Sequence, residues 1–219
     1  DPAPAGRRAM SAGRLITLEG GEGAGKSTLA RSMVAALQAE GLAVVSTREP
    51  GGSPLAEAVR GLVIDNWDEG IAPETETLLI SAARAAHWRH GIAPALARGD
   101  WVICDRFVDS THAYQGSAGV PTAMIDAATR LAIGEARPDL TLLIDLDPEV
   151  GLARACARGD DNRFEAADVA RHHRIRAAFL ARAAAEPDRF VVIDGGQEAD
   201  AVRQQALTAV RAARQRWSI

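Results

Sequence analysis

The chain has 219 residues, 47% of them hydrophobic and 25% charged, which is the composition of a globular protein and not of a disordered one. With 25 basic and 29 acidic residues the net charge is −4, so no basic excess points to nucleic acid as the main partner, and anionic small molecules stay open because local charge governs them. Two isolated cysteines, Cys104 and Cys156, argue against a zinc cluster or a disulfide framework, and no apolar run approaches the roughly 18 residues of a membrane span.

Residues 1–13 are rich in Pro, Gly and Ala and lack periodicity, so they read as a disordered tail. No apolar core segment marks them as a signal peptide, and a cytoplasmic location with no membrane partner is expected. From residue 14 to 219 a single domain is expected. Residues 15–18 form a first strand ending in Glu-Gly-Gly, and Leu29, Met33, Val34 and Leu37 then recur at helical spacing until Gly41. A second strand covers 43–46. Helices follow over 55–64 and 74–98, the latter kinked or divided by Pro94. Strand three is 101–104, and a helix spans 122–133. Strand four, 140–146, is almost wholly apolar, as a strand covered on both faces should be. Helices over 148–157 and 166–185, strand five over 190–193 and a helix over 198–216 complete the chain. This alternation predicts an α/β fold, a five-stranded parallel sheet with right-handed crossovers and helices on both faces.

The strongest chemical signal is Gly20-Gly21-Glu22-Gly23-Ala24-Gly25-Lys26-Ser27, a full match to G-x-x-x-x-G-K-[ST] set between a strand and a helix. Glycines let the backbone turn its N–H groups toward a polyphosphate, and the helix N-terminus adds its positive end. Lys26 suits the β- and γ-phosphates, and the Ser27 hydroxyl suits Mg²⁺. The loop indicates nucleotide without fixing the reaction. Neither Asn-Lys-x-Asp nor a following Asp-x-x-Gly is present, so a GTPase is disfavoured. Strand two runs into Arg48 and strand three into Asp105-Arg106, which brings two guanidinium groups to the sheet edge that carries the loop.

The segments Glu19–Thr28, Thr47–Glu57 and Asp105-Arg106 with Ser110, Thr111, Tyr114 and Gln115 together resemble the thymidylate kinase family of P-loop NTPase fold. The resemblance extends from about residue 14 to the C-terminus and includes Arg137-Pro138-Asp139 before strand four. It implies an enzyme that transfers the γ-phosphoryl of ATP to dTMP in nucleotide biosynthesis, with Mg²⁺ and as a homodimer. By the same resemblance, residues 20–28, through Thr28, hold ATP. Arg48 and Arg106 hold the dTMP phosphate, and Asp105 supports Mg²⁺ alongside Ser27. Glu22 accepts from the 3′-hydroxyl, Tyr114 packs on the sugar, Arg84 donates to a thymine carbonyl, and Ser110, Thr111 and Gln115 complete the acceptor site. The chain departs from the family at Ile80, where a ring usually stacks on thymine. Isoleucine packs against a base but lacks the ring quadrupole, so stacking comes from elsewhere or thymine affinity is lower.

Residues 151–165 resemble the family's lid in its basic bacterial form. Arg154 and Arg158 are i,i+4 on one helix face, Gly159 interrupts the helix, and Arg163 follows in a polar loop. Mobile arginines neutralise charge on a phosphoryl in flight, and the phosphate loop itself offers Glu22 and Ala24 but no Arg. Arg158 is the first choice for that role, then Arg163 and Arg154. Asp145 and Asp147 read as caps for the next helix, Trp67 as a loop residue, and His87 and His90 as neighbours on one helix face without a carboxylate cluster. Two other readings stand beside the leading one: a kinase for another pyrimidine monophosphate, kept open by Ile80, and a nucleotide-binding module without turnover.

Overall fold

The computed structural model describes residues 13–157 and 168–217. In chain order the elements are β1 (Arg14–Glu19), α1 (Lys26–Ala39), β2 (Val44–Arg48), α2 (Pro54–Ile64), α3 (Pro73–His87), a π-helical turn (Trp88–Ile92), α4 (Ala93–Ala97), β3 (Trp101–Asp105), α5 (Val108–Ser117), α6 (Thr122–Ile133), β4 (Leu140–Asp145), α7 (Pro148–Ala157), α8 (Val169–Ala185), β5 (Phe190–Asp194) and α9 (Ala199–Trp217). The strands form one parallel sheet in the order β2-β3-β1-β4-β5. Leu18 and Arg48 are both in register with Asp105, and Glu19 with Leu143, so the carboxyl ends of the four strands β2, β3, β1 and β4 meet at one edge.

Side chains alternate across the sheet, as the strand pleat requires. Ile16, Leu18, Leu140, Leu142 and Ile144 face α1 and α9, against Met33, Leu37, Leu207 and Val210. Leu15, Val102 and Cys104 face the other way, onto Phe107, Ile92 and Ile133. A third cluster joins Leu143 to Tyr114, Ile175, Phe179 and Phe190, tying α5 to α8. Both faces being covered explains why the central strands read as continuous apolar runs. Two polar residues interrupt them: Thr17 and Thr141 are wholly buried and hydrogen-bond each other across β1 and β4 at 2.9 Å.

The long helix expected over 74–98 is divided, although not at the proline. Helix α3 ends at His87 and a π-helical turn follows, so that Pro94 falls in the first turn of α4, directly after that turn. Strand β2 runs two residues further than expected, to Arg48. Helix α5 was not expected from the apolar pattern. Its buried positions include Asp109, Ser110, Thr111 and Gln115, so it carries no hydrophobic stripe. Gly13, assigned to the tail, is instead packed: a Cβ there would lie 2.5 Å from the Leu96 carbonyl oxygen. Residues 1–12 of the expected tail lie outside the described residues.

Candidate active site

The loop between β1 and α1 has the backbone its glycines require. Gly23 has φ 68, and a Cβ there would stand 1.9 Å from the Gly151 carbonyl oxygen, so a side chain is excluded on both counts. Lys26 is buried and donates to the carbonyls of Gly20 (3.2 Å) and Gly21 (2.8 Å). Burial, followed by the nearby Arg106 charge, lowers its pKa to about 8. Ser27 Oγ donates to Asp105 Oδ2 at 2.6 Å, bringing two hard oxygen donors together at the mouth of the loop.

Arg106, which follows β3, has φ 68 and donates its N–H to the Leu18 carbonyl at 2.9 Å. Non-glycine residues seldom adopt this left-handed backbone, and it is a feature of functional sites. Its guanidinium donates to Gly20 O (2.9 Å) and to Glu22 Oε1 (2.8 Å). The Tyr114 hydroxyl donates to that same Glu22 oxygen at 2.7 Å, and the tyrosine ring lies 4.9 Å from the Arg106 guanidinium. Burial opposes ionisation of Glu22, but Arg106, Lys26 and Tyr114 outweigh it and hold its pKa down at about 2. Beneath this layer, Glu19 is wholly buried and accepts from the Phe107 N–H (2.8 Å) and the Ser110 hydroxyl (2.5 Å). Burial first, then the charge of Asp109, raises the Glu19 pKa to about 7.

An open cleft adjoins the loop. Eight of the nine residues expected to hold the acceptor line it: Glu22, Ile80, Arg84, Arg106, Ser110, Thr111, Tyr114 and Gln115. The ninth, Arg48, stands apart. It is half exposed, pairs with Glu57 at 2.9 Å and lines a neighbouring groove with Ser27 and Asp105. Arg84 is buried: its Nε donates to Glu49 Oε2 at 2.7 Å and Nη2 to Thr111 Oγ1 at 3.0 Å. Nη1 is buried and has no partner among the described residues, and neither has the Gln115 side-chain oxygen. Gln115 donates its Nε2–H to Glu76 Oε1. Phe107 and Tyr114 are the aromatic residues in the lining of the cleft, and Phe107 is wholly buried with its ring 5.3 Å from the Arg84 guanidinium.

Helix α5, the carrier of Ser110, Thr111, Tyr114 and Gln115, is pinned by Asp109. This wholly buried carboxylate accepts from Arg182 (2.6 Å) and from Arg189 (2.8 and 2.9 Å). Burial raises its pKa but the two arginines outweigh it, and the net shift is downward. Phe179 meets the Tyr114 ring edge-on at 6.2 Å and fixes it over Glu22. Of the expected lid arginines, Arg154 donates to Gly195 O at 3.1 Å, and Arg158 and Arg163 lie outside the described residues. Asp147 caps α7 by accepting from the Glu149 N–H (3.1 Å), whereas Asp145 does not cap: it receives a bidentate pair from Arg176 at 2.7 and 2.9 Å. Thr28 is exposed and accepts from Arg31 at 3.2 Å.

Sequence reasoning missed Glu49, His87, Glu19, Phe107 and Arg60, all of which touch this site or support it. Glu19 and Phe107 flank recognised motifs, and their position at a strand end was the available signal. Glu49 and His87 are distant in sequence and meet only in the fold.

The thymidylate kinase family model matches residues 18–206. A thymidylate kinase from Bradyrhizobium sp. strain BTAi1 is 49% identical, the match covering 94% of this chain and 97% of that protein. One from Pseudomonas fluorescens is 52% identical over 90% of this chain and 94% of its own. The crystal structure of thymidylate kinase from Ehrlichia chaffeensis superposes with TM-score 0.74 at 32% identity, covering 91% of this chain and 99% of that one. A phosphate loop on a five-stranded parallel sheet, a cleft beside it and matches that span nearly the whole chain lead to one conclusion: the chain belongs to the thymidylate kinase family, nucleoside monophosphate kinases of the P-loop NTPase fold.

Proposed function

We propose that the protein transfers the γ-phosphoryl of ATP to dTMP, giving dTDP and ADP, with ATP on residues 20–28 and dTMP in the adjoining cleft. The observation that carries this is the convergence of eight expected acceptor residues on one cleft beside the phosphate loop, among them Arg84 with a buried N–H group that has no partner among the described residues. An unmet buried donor favours a ligand that brings an acceptor there, and a thymine carbonyl does so. Arg106 reaches the phosphate of dTMP by exchanging Glu22 for it, and Glu22 then accepts from the sugar hydroxyl. Tyr114, locked between Phe179 and Arg106, leaves little room for a 2′-hydroxyl. The acceptor phosphate is already anionic, so no general base is required and catalysis is positioning plus charge neutralisation.

Ser27 and Asp105 are the residues that would hold Mg²⁺. Their paired oxygens fit a hard cation that takes most of its ligands from phosphate and water. Bound with ATP, the ion offsets charge on the β- and γ-phosphates. Arg48 serves the phosphates from the neighbouring groove once released from Glu57, and Arg154, Arg158 and Arg163 serve from the lid. A homodimer is supported by Leu78, Met124 and Leu131, which are 67%, 56% and 90% exposed on α3 and α6. A cytoplasmic location accords with the absence, among the described residues, of any helix long and apolar enough to cross a membrane. The test is a coupled ADP-release assay with ATP, Mg²⁺ and each of dTMP, dUMP, UMP, CMP and dCMP. Selective turnover of dTMP supports the proposal. Preference for another monophosphate overturns the substrate, and ATP binding without turnover overturns the reaction.

A further inference from the structure

Arg84 is not held in the cleft by its own helix alone. Its Nε donates to Glu49 Oε2 at 2.7 Å, and the other oxygen of Glu49 faces His87 Nδ1 at 3.0 Å. The side chains of Arg84, Glu49 and His87 are 1%, 2% and 1% exposed. An ionised carboxylate can only accept, so His87 Nδ1 carries the proton. On its far side, His87 Nε2 meets the Thr47 hydroxyl at 2.7 Å. A chain of contacts therefore runs from Thr47 on β2 through His87 and Glu49 to the guanidinium, and leaves Nη1 buried without a partner among the described residues.

The histidine fits a slot shaped for a ring. Gly52 has φ 82, and a Cβ there would lie 2.3 Å from His87 Nε2; a Cβ at Gly91 would lie 3.0 Å from Cδ2. His87 is also the last residue of α3, three beyond Arg84 and on the same buried side of that helix. Phe107 closes the other side, its ring 5.3 Å from the Arg84 guanidinium. With Nε held by Glu49, Nη2 held by Thr111 and one face covered by Phe107, the guanidinium plane is fixed, and Nη1 is left buried with no partner among the described residues.

We infer that Glu49 and His87 are positioning residues for base recognition: His87 locks the Glu49 carboxylate, which locks Arg84 so that its free N–H meets a carbonyl on the acceptor base. This rests on the reading of the cleft as a pyrimidine monophosphate site. A fixed donor there donates to the ring carbonyl of thymine or uracil and disfavours the amino group of cytosine. None of the hydrogen bonds in this chain of contacts reaches the phosphate loop, so the KM for ATP is expected to be unaffected.

The test is steady-state kinetics of His87→Asn, His87→Leu and Thr47→Val with dTMP, dCMP and ATP varied in turn. Asparagine places an N–H where Nδ1 stands, and leucine does not. The expected result is a KM for dTMP raised about tenfold in His87→Leu, the worth of one charge-assisted hydrogen bond. The discrimination of dTMP from dCMP falls with it, the KM for ATP stays unchanged, and His87→Asn recovers most of the loss. Thr47→Val, which removes only a half-buried hydroxyl, gives a smaller shift in the same direction and serves if His87→Leu does not fold. An unchanged dTMP KM in the folded variants overturns the inference, as does equal loss in the Asn and Leu variants with ATP KM moving in parallel, the sign of a merely structural role. Wild-type protein that fails to use dTMP overturns the reading of the cleft itself, a result visible before any variant is made.

Discussion

Replacing Asp109 by Asn tests how the acceptor half of the site is anchored. Asp109 is wholly buried and takes three short hydrogen bonds from Arg182 and Arg189, which are 24% and 11% exposed. Asparagine keeps the shape, removes the charge and turns one acceptor into a donor facing two guanidinium groups. Breaking a buried ion pair from one side costs about 3–5 kcal/mol. For a chain of this size that lowers Tm by about 6–20 °C. Because Asp109 sits on α5 beside Ser110 and Thr111, the loosened helix also raises the KM for dTMP and leaves that for ATP unchanged. The exposed pair Arg130–Glu135, 3.6 Å apart, is the contrast: Arg130→Gln should cost no more than about 0.5 kcal/mol. The assay is thermal unfolding by circular dichroism, with kinetics on the folded variants. If Asp109→Asn melts within about 2 °C of wild type, the buried network is not what holds α5, and the reasoning fails.

Three further outcomes are expected. Glu19 has its pKa raised from 4.5 to about 7 in the folded state, so the fold binds a proton that the unfolded chain releases. That contribution is complete below about 4.5 and is lost as pH rises through about 7; urea unfolding of Glu19→Gln should lack this component of the slope between pH 4.5 and 7. Glu22 runs the other way, its pKa lowered from 4.5 to about 2, so its stabilisation is present above 4.5 and lost as pH falls toward 2. The stability gap between wild type and Glu22→Gln should accordingly narrow from pH 5 downward. Ile80→Phe adds a ring to the cleft wall and should lower the KM for dTMP by up to about tenfold through stacking; an unchanged or raised value refutes a stacking position there.

Much of this is legible in the sequence. The phosphate loop, the strand-end Arg106 and the apolar runs of β1 and β4 are local patterns, and each fixes its own geometry. Helix α5 is not readable as a helix, because its buried positions mix Asp109, Ser110, Thr111 and Gln115 with Val108, Ala113 and Tyr114; a periodicity built on apolar residues does not see a face that is mostly polar. The site suffered similarly. Arg48 lies at the expected strand end, but its partner is Glu57, nine residues on, which holds it outside the cleft. Arg84 was identified, but what holds it was not: Glu49 is 35 residues away and His87 is 38 residues from Glu49, and nothing in either neighbourhood signals the other. Contacts of that kind arise from strand order and helix packing.

The most direct test of the central claim, that this cleft reads the acceptor base through Arg84, is the ratio of kcat/KM for dTMP to that for dCMP in wild type and in Arg84→Gln. Glutamine keeps a donor toward Glu49 but removes the free guanidinium N–H. The account predicts a wild type strongly selective for dTMP, and a variant whose efficiency with dTMP falls at least about tenfold while its KM for ATP is unchanged. Equal use of the two monophosphates by wild type, or a variant as selective as wild type, contradicts it.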